Sequence, residues 1–167
     1  PRQNNVRTKP YTKARDGGVA GLKVGVLSEG FVFENLEPDV ADCVRQAAVR
    51  LQDLGAEVKE VSVPMHLVAN AIGTPIGLEG IVGTMMWGDG YGHGRGDLYV
   101  PSLMDYHRGW RQRVNELADT VKVYLLLGTY ITRRHGFRYY GKSTNIARRL
   151  TAAYDAVLED VDLLLMP

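Results

Sequence analysis

The sequence lacks the features that mark several large classes of protein. Cys43 is the only cysteine among 167 residues, which excludes an intramolecular disulfide framework and a cysteine-based zinc cluster. No apolar run approaches the ~20 residues of a membrane span. The net charge of +1 gives no strong field for nucleic acid or an anionic membrane. We therefore expect a cytoplasmic protein with no nucleic-acid partner and no membrane partner.

What is present is enough for one folded domain. Hydrophobic residues make up 45% of the chain and charged residues 23%, both ordinary for a globular protein. Residues 1–21 are polar, mostly basic, and contain Gly17-Gly18. Because their charges are scattered and no aromatic stack accompanies them, this composition favours an exposed connector over a nucleic-acid arm.

The clearest structural signal is a strand–helix–strand pattern at about 22–63. Residues 22–30 predict a short buried strand, 38–54 a helix, and 57–63 a second strand that ends at Pro64. The helix has an apolar stripe that includes Cys43, which predicts a buried cysteine. Two strands joined by a helix in this way are parallel, so the fold class is α/β.

The second half of the chain carries helices, a glycine-rich stretch and a final strand. Residues 66–86 predict one buried helix or two short ones, and helices are also expected from about Val121 and over 145–158. The stretch 88–97 alternates glycine with other residues and predicts a mobile loop. It fits no dinucleotide pattern, and its His93 has no second ligand at a metal spacing, so we expect no cofactor and no metal.

One stretch of the sequence matches the consensus of a phosphate-binding loop. Gly136–Ser143 matches G-x-x-x-x-G-K-[ST], in which backbone N–H groups would curl around a phosphate. A phosphate-binding loop should follow a buried strand directly, whereas charged residues 133–135 intervene here, and Arg and Tyr fill the variable places. A nucleotide-binding module at Gly136–Ser143 is therefore kept only as an alternative.

Several stretches form an ordered pattern larger than any one motif. They are Gly21–Leu27, Pro38–Val40, Leu54–Pro64, Arg148–Leu150, Ala153–Ala156 and Asp160–Pro167, with Pro1–Gln3 at the start. This ordered set resembles the segment that follows the nucleophile region in the amidase signature family, and within it bacterial amidases of the nitrile-degrading type. The resemblance implies the amidase signature fold, in which this chain supplies part of a mixed β-sheet flanked by helices.

The same resemblance implies hydrolysis of carboxamides to carboxylic acid and ammonia. Such enzymes use a Ser–Ser–Lys triad, in which one serine attacks, a second relays protons and the lysine acts as base. This sequence has no Gly-Gly-Ser-Ser-Gly-Gly loop, and Lys142-Ser143 lacks the flanks of the family's catalytic residues. The resemblance therefore assigns no catalytic residue here. It implies that residues 22–167 are a middle-to-late fragment of one amidase domain, inactive alone and prone to aggregate.

A single substrate-binding residue is implied. Family amidases place an aromatic or apolar side chain from this region against the acyl group of the substrate, and Trp87 matches that placement; the alternative is a plain core residue. The expected partner is a small-molecule amide, and the resemblance admits a homodimer of the full-length enzyme. The remaining alternatives are the glutamine-hydrolysing A subunit of an amidotransferase, which is of the same family, and a non-catalytic interaction domain.

Overall fold

A computed structural model of the chain describes residues 7–91 and 99–167. The prediction of a loop over 88–97, with His93, therefore lies mostly outside the described residues. The helices are α1 (Tyr11–Ala14), α2 (Pro38–Asp53), α3 (Ala69–Ile81), α4 (Pro101–Arg108), α5 (Asp119–His135) and α6 (Arg138–Leu158), and the strands are β1 (Lys23–Leu27), β2 (Glu57–Val61) and β3 (Leu163–Leu165).

The residues group into two compact units. The first consists mainly of Ala71–Ile146, and the second of Lys9–Asn70 with Ala147–Pro167. In the second unit, Tyr11, Lys13 and Arg15 have exposed side chains. The division into a connector at 1–21 and a single domain at 22–167 stays a prediction.

The second unit is built on a parallel sheet of strand order β2-β1-β3. Lys23 pairs with Glu57 and Leu27 with Val61, in the register expected for a βαβ unit. β1 is the central strand, and its Val24 and Leu27 are fully buried. At Gly25, an added Cβ would lie 2.9 Å from the Val61 side chain. The α/β class and the βαβ unit at 22–63 are confirmed, and the described strands are all parallel.

The ends of α2 follow from local chemistry. Pro38 stands in its first turn, where a missing N–H costs nothing. Gly55, with φ of 93°, follows its C-cap, and this left-handed conformation favours glycine. The predicted helix over 38–54 is therefore observed with an end one residue earlier.

The buried face of α2 differs from the predicted stripe. The buried residues are Ala41 and Ala48, whereas Cys43 is exposed, so the prediction of a buried cysteine is wrong. The helix packs against β2, and alanines on the packed face let the two backbones approach closely. The larger side chains of Val40 and Leu54 consequently turn outward.

The first unit is helical, and its core lies between α3 and α5. Gly128 of α5 sits directly against Leu78 and Val82, so that an added Cβ would contact the Leu78 carbonyl oxygen. α3 continues into a π-helical turn, Val82–Trp87. Such turns are rare and are found frequently at functional sites. No helix among the described residues has the length and apolar character needed to cross a membrane.

Candidate functional site

Trp87 ends the π-helical turn and is only half covered by protein. Its side chain is 51% exposed. The ring meets Phe137 edge-on, with centroids 5.4 Å apart and an interplanar angle of 82°. This is a favourable geometry for an aromatic pair. Trp87 therefore reaches the surface of this chain, and both a substrate contact and a core position in the whole enzyme stay predictions.

The backbone around Trp87 is held from both sides. Arg111 donates to the Met86 carbonyl oxygen at 2.5 Å and to Asp89 Oδ1 at 2.6 Å. Gly88 has no room for a side chain, because a Cβ would lie 2.7 Å from the Tyr91 carbonyl oxygen. The tryptophan ring consequently projects from a fixed turn, which is what a substrate-contacting wall requires.

Phe137 reaches Trp87 because two helices end and begin beside it. Gly136, with φ of 65°, ends α5, and α6 begins at Arg138. Gly83 leaves space for the Phe137 ring, since a Cβ there would lie 3.1 Å from it. Phe137 was not predicted as part of the site, because nothing in its local sequence pattern marks a partner 50 residues away.

The same junction shows that the nucleotide-binding alternative is wrong. Gly136–Ser143 follows the helix α5 rather than a strand, and from Arg138 onward it is helical. Lys142 is exposed on α6 and Ser143 is buried. The backbone N–H groups of a helix interior bond to carbonyl groups one turn earlier, so these residues cannot wrap a phosphate.

An apolar groove of about 710 Å³ begins at Met86, the residue before Trp87. Trp110 and the α5 residues Leu125 and Leu126 also line it. Within this lining, Thr129 donates to the Leu125 carbonyl oxygen at 2.6 Å and lies 3.3 Å from Met86 Sδ. The indole N–H of Trp110 is buried and has no partner among the described residues. The basic residues Lys122, Arg133 and Arg134 also line this groove, so it is an apolar surface with a charged border.

The second unit carries a polar cluster at the carboxyl edge of its parallel sheet. The carboxylate of Glu29, which follows β1, accepts bonds from Ser62 Oγ at 2.5 Å and from the Val63 N–H at 2.9 Å. The bond from Ser62 is the main reason that the pKa of Glu29 lies below its ordinary value, although burial opposes the shift. A carboxylate with a lowered pKa is a weak base, so Ser62 is not activated as a nucleophile here.

His66 and Tyr154 extend this cluster. The Tyr154 hydroxyl and His66 Nδ1 share a hydrogen bond of 2.5 Å. Burial raises the pKa of Tyr154, and the negative charge of Glu29 adds to the rise. The raised pKa keeps the Tyr154 hydroxyl protonated, and its hydrogen bond with His66 joins α6 to the segment after β2. No group of three or more potential metal ligands occurs among residues 7–91 and 99–167.

Comparison with known proteins decides the family. A sequence model described as Amidase matches residues 2–167. The chain belongs to the amidase family. It is 34% identical to an enantioselective amidase of Rhodococcus rhodochrous over its full length, and 32% identical to the A subunit of the glutamyl-tRNA(Gln) amidotransferase of Synechococcus sp. strain RCC307 over 98% of its length. It spans about a third of the length of each, 33% in both cases.

The fold of the family member is shared with a solved structure. The A subunit of the glutamyl-tRNA(Gln) amidotransferase of Thermotoga maritima superposes with a TM-score of 0.51 at 17% identity, covering 90% of this chain and 29% of that one. This similarity supports the fold alone. The predicted amidase resemblance is confirmed, and the role of Trp87 stays a prediction.

Proposed function

We propose that the chain is part of an amidase that hydrolyses carboxamides to carboxylic acid and ammonia, and that Trp87 contacts the acyl group of the substrate. The family match over residues 2–167 supports the reaction class. The half-exposed ring of Trp87, which packs edge-on against Phe137 on a turn held by Arg111, supports the contact. An apolar wall of this kind favours aromatic or aliphatic amides over charged ones.

In this proposal the catalytic triad comes from a part of the amidase outside residues 1–167. The sequence has no double-serine loop, and the serine at the sheet edge, Ser62, is bonded to a weak base. In the full enzyme the serine oxygen would bond to the acyl carbon as the C–N bond breaks, and the amide nitrogen would take up the serine proton and leave as ammonia. Water would then release the acid. The chain alone is therefore inactive.

The surface of α5 supports the proposal that more protein covers this chain. Gly128 lies against Leu78 and Val82 and Leu125 is buried, yet Leu126 is 71% exposed and Tyr130 62% exposed. Large apolar side chains that are exposed together on one face of a helix mark a surface that another part of a protein covers. We propose that the rest of the amidase domain packs against the exposed face of α5, and that the complete enzyme acts in the cytoplasm on small-molecule amides.

A chimeric enzyme tests the proposed function. Residues 1–167 replace the matched third of the Rhodococcus amidase, and release of ammonia from benzamide and from acetamide is measured. We expect turnover by the chimera and none by the 167-residue chain. A chimera that is soluble and unfolds cooperatively, yet hydrolyses no amide, would contradict the proposal.

A comparison of glutamine with simple amides as substrates distinguishes the second candidate function, the glutamine-hydrolysing subunit of an amidotransferase, from a simple amidase. Three relatives that are A subunits of glutamyl-tRNA(Gln) amidotransferases are each 32% identical to this chain, which supports a glutamine-hydrolysing subunit as the second candidate. Because glutamine carries charged groups at its α-carbon, a wall made by Trp87 and Phe137 should discriminate against it. Turnover of benzamide well above that of glutamine supports the simple amidase, and the reverse preference supports the amidotransferase.

A further inference from the structure

A buried glutamate lies behind the aromatic pair. Glu79 of α3 is 0% exposed. Its Oε2 accepts a hydrogen bond from the Tyr140 backbone N–H at 2.6 Å, and its Oε1 is buried with no partner among the described residues. Burying a carboxyl group that makes a single hydrogen bond costs free energy, unless the surrounding groups stabilise it.

The N-terminus of α6 supplies groups that stabilise the Glu79 side chain. Tyr140 is the third residue of that helix, and the first four N–H groups of a helix have no partner within it. A negative charge is also favourable at this end of the helix. Glu79 therefore ties the beginning of α6 to α3 through this hydrogen bond.

Residues on the same side of α3 and its π-helical turn continue this connection toward Trp87. Gly80 lies against the Tyr140 ring, where a Cβ would be 3.5 Å away, and Gly83 lies against the Phe137 ring. Phe137 then meets Trp87. The contacts thus run from Glu79 through the start of α6 to the aromatic pair, without a gap.

We infer that Glu79 is a positioning residue, which holds Phe137 against Trp87 and so sets the acyl-group selectivity of the enzyme. The inference rests on the proposed function only for the selectivity. The geometric part of the inference is that Glu79 controls how much of the Trp87 ring is shielded from solvent. This part depends only on the contacts described above, not on the proposed function.

The geometric half is tested in the 167-residue chain by tryptophan fluorescence. Trp110→Phe leaves Trp87 as the single tryptophan, and it removes an indole N–H that has no partner among the described residues. Acrylamide quenching is measured at low protein concentration for Glu79→Leu, which removes the acceptor, and for Glu79→Gln, which keeps an acceptor oxygen. Ile72→Ala, another buried position in α3, controls for loss of stability alone.

The expected order of Trp87 quenching is Glu79→Leu above Glu79→Gln, with Ile72→Ala at the level of the parent. Three results would overturn the inference. The first is equal acrylamide quenching in Glu79→Leu and the parent. The second is an increase in quenching in Ile72→Ala as large as that in Glu79→Leu. The third is quenching of Trp87 in the folded parent that already equals its quenching in urea.

The selectivity half is tested in the chimera. Glu79→Leu should raise KM for benzamide roughly threefold to tenfold, the range of one aromatic contact, while KM for acetamide and kcat for both change little. Glu79→Gln should restore most of the difference. An equal loss of kcat/KM for benzamide and acetamide would show that Glu79 only stabilises the fold, which would contradict the inference on selectivity. A chimera without any turnover would contradict the proposed function, and the fluorescence result would still decide the geometry.

Discussion

Gly128→Ala is the sharpest test of how α5 and α3 pack. Gly128 is buried, and the new Cβ would meet the Leu78 carbonyl oxygen and lie 2.7 Å from Val82 Cγ2. A side chain can rotate away from such a contact, whereas a backbone carbonyl group within a helix cannot. The substitution therefore forces α5 away from α3.

Two opposing effects set the magnitude. Overpacking of a core costs about 1–3 kcal/mol. Replacing glycine by alanine within a helix stabilises it by about 1 kcal/mol. Because the new Cβ meets a backbone atom, we take the upper part of the overpacking range, about 2–3 kcal/mol, which leaves a net loss of roughly 1–2 kcal/mol in the free energy of unfolding. Gly141→Ala is the matched control, because Gly141 lies in α6 with no atom within 4 Å of an added Cβ. There only the helix-forming gain remains, about 0.5–1 kcal/mol.

The assay is urea unfolding of both variants and the parent chain, followed by far-ultraviolet circular dichroism at low protein concentration. The midpoint should fall for Gly128→Ala and rise for Gly141→Ala. A Gly128→Ala midpoint at or above that of the parent would refute the close approach of the two helices. A fall for Gly141→Ala would refute the helical assignment of the Gly136–Ser143 motif.

Three further predictions concern the sheet edge, the lysine of the phosphate-like motif and the exposed face of α5. Glu29→Gln should lower the free energy of unfolding at pH 7 by about 1–2 kcal/mol, because it weakens charge-assisted bonds. Since the folded-state pKa of Glu29 is lowered, its contribution is present above the unfolded pKa and is lost as pH falls through the folded value. The midpoints of Glu29→Gln and the parent should therefore converge below about pH 4, and a constant gap would contradict the linkage. Lys142→Ala should leave a titration with ATP unchanged, with no heat of binding before or after substitution; binding lost on substitution would revive the nucleotide site. Leu126→Glu should reduce self-association of the 167-residue chain in light scattering, yet lower the soluble yield of the chimera, and improvement of both would show that nothing covers this face.

The βαβ unit could be predicted because its signals are local. Pro38 and Gly55 mark the two ends of α2 by their own backbone preferences, and Pro64 begins the short 3-10 turn that follows β2. Short connections between these elements leave only the parallel arrangement of β1 and β2. The resemblance to amidases drew on the same stretches, and the family match confirms it.

The packed face of α2 and the surroundings of Trp87 could not be predicted in this way. Apolar residues occupy more than one side of α2, so periodicity alone did not select Ala41 and Ala48 over Cys43. Trp87 depends on Phe137 and, through α6, on Glu79, which are contacts between residues far apart in sequence. A pattern along one helix contains no information about such a partner. The motif at Gly136–Ser143 is misleading for the same reason. A phosphate-binding loop has to follow a strand, whereas the helix α5 precedes this motif.

The most direct test of the central claim is the ratio of kcat/KM for benzamide and acetamide in the chimera, with Trp87 intact, replaced by Phe and replaced by Ala. If Trp87 contacts the acyl group, Trp87→Ala should lower the ratio by up to about tenfold, the value of one aromatic contact, and Trp87→Phe should keep most of it. An unchanged ratio in Trp87→Ala, or equal losses for the two amides, would contradict the assignment of Trp87 to the substrate wall.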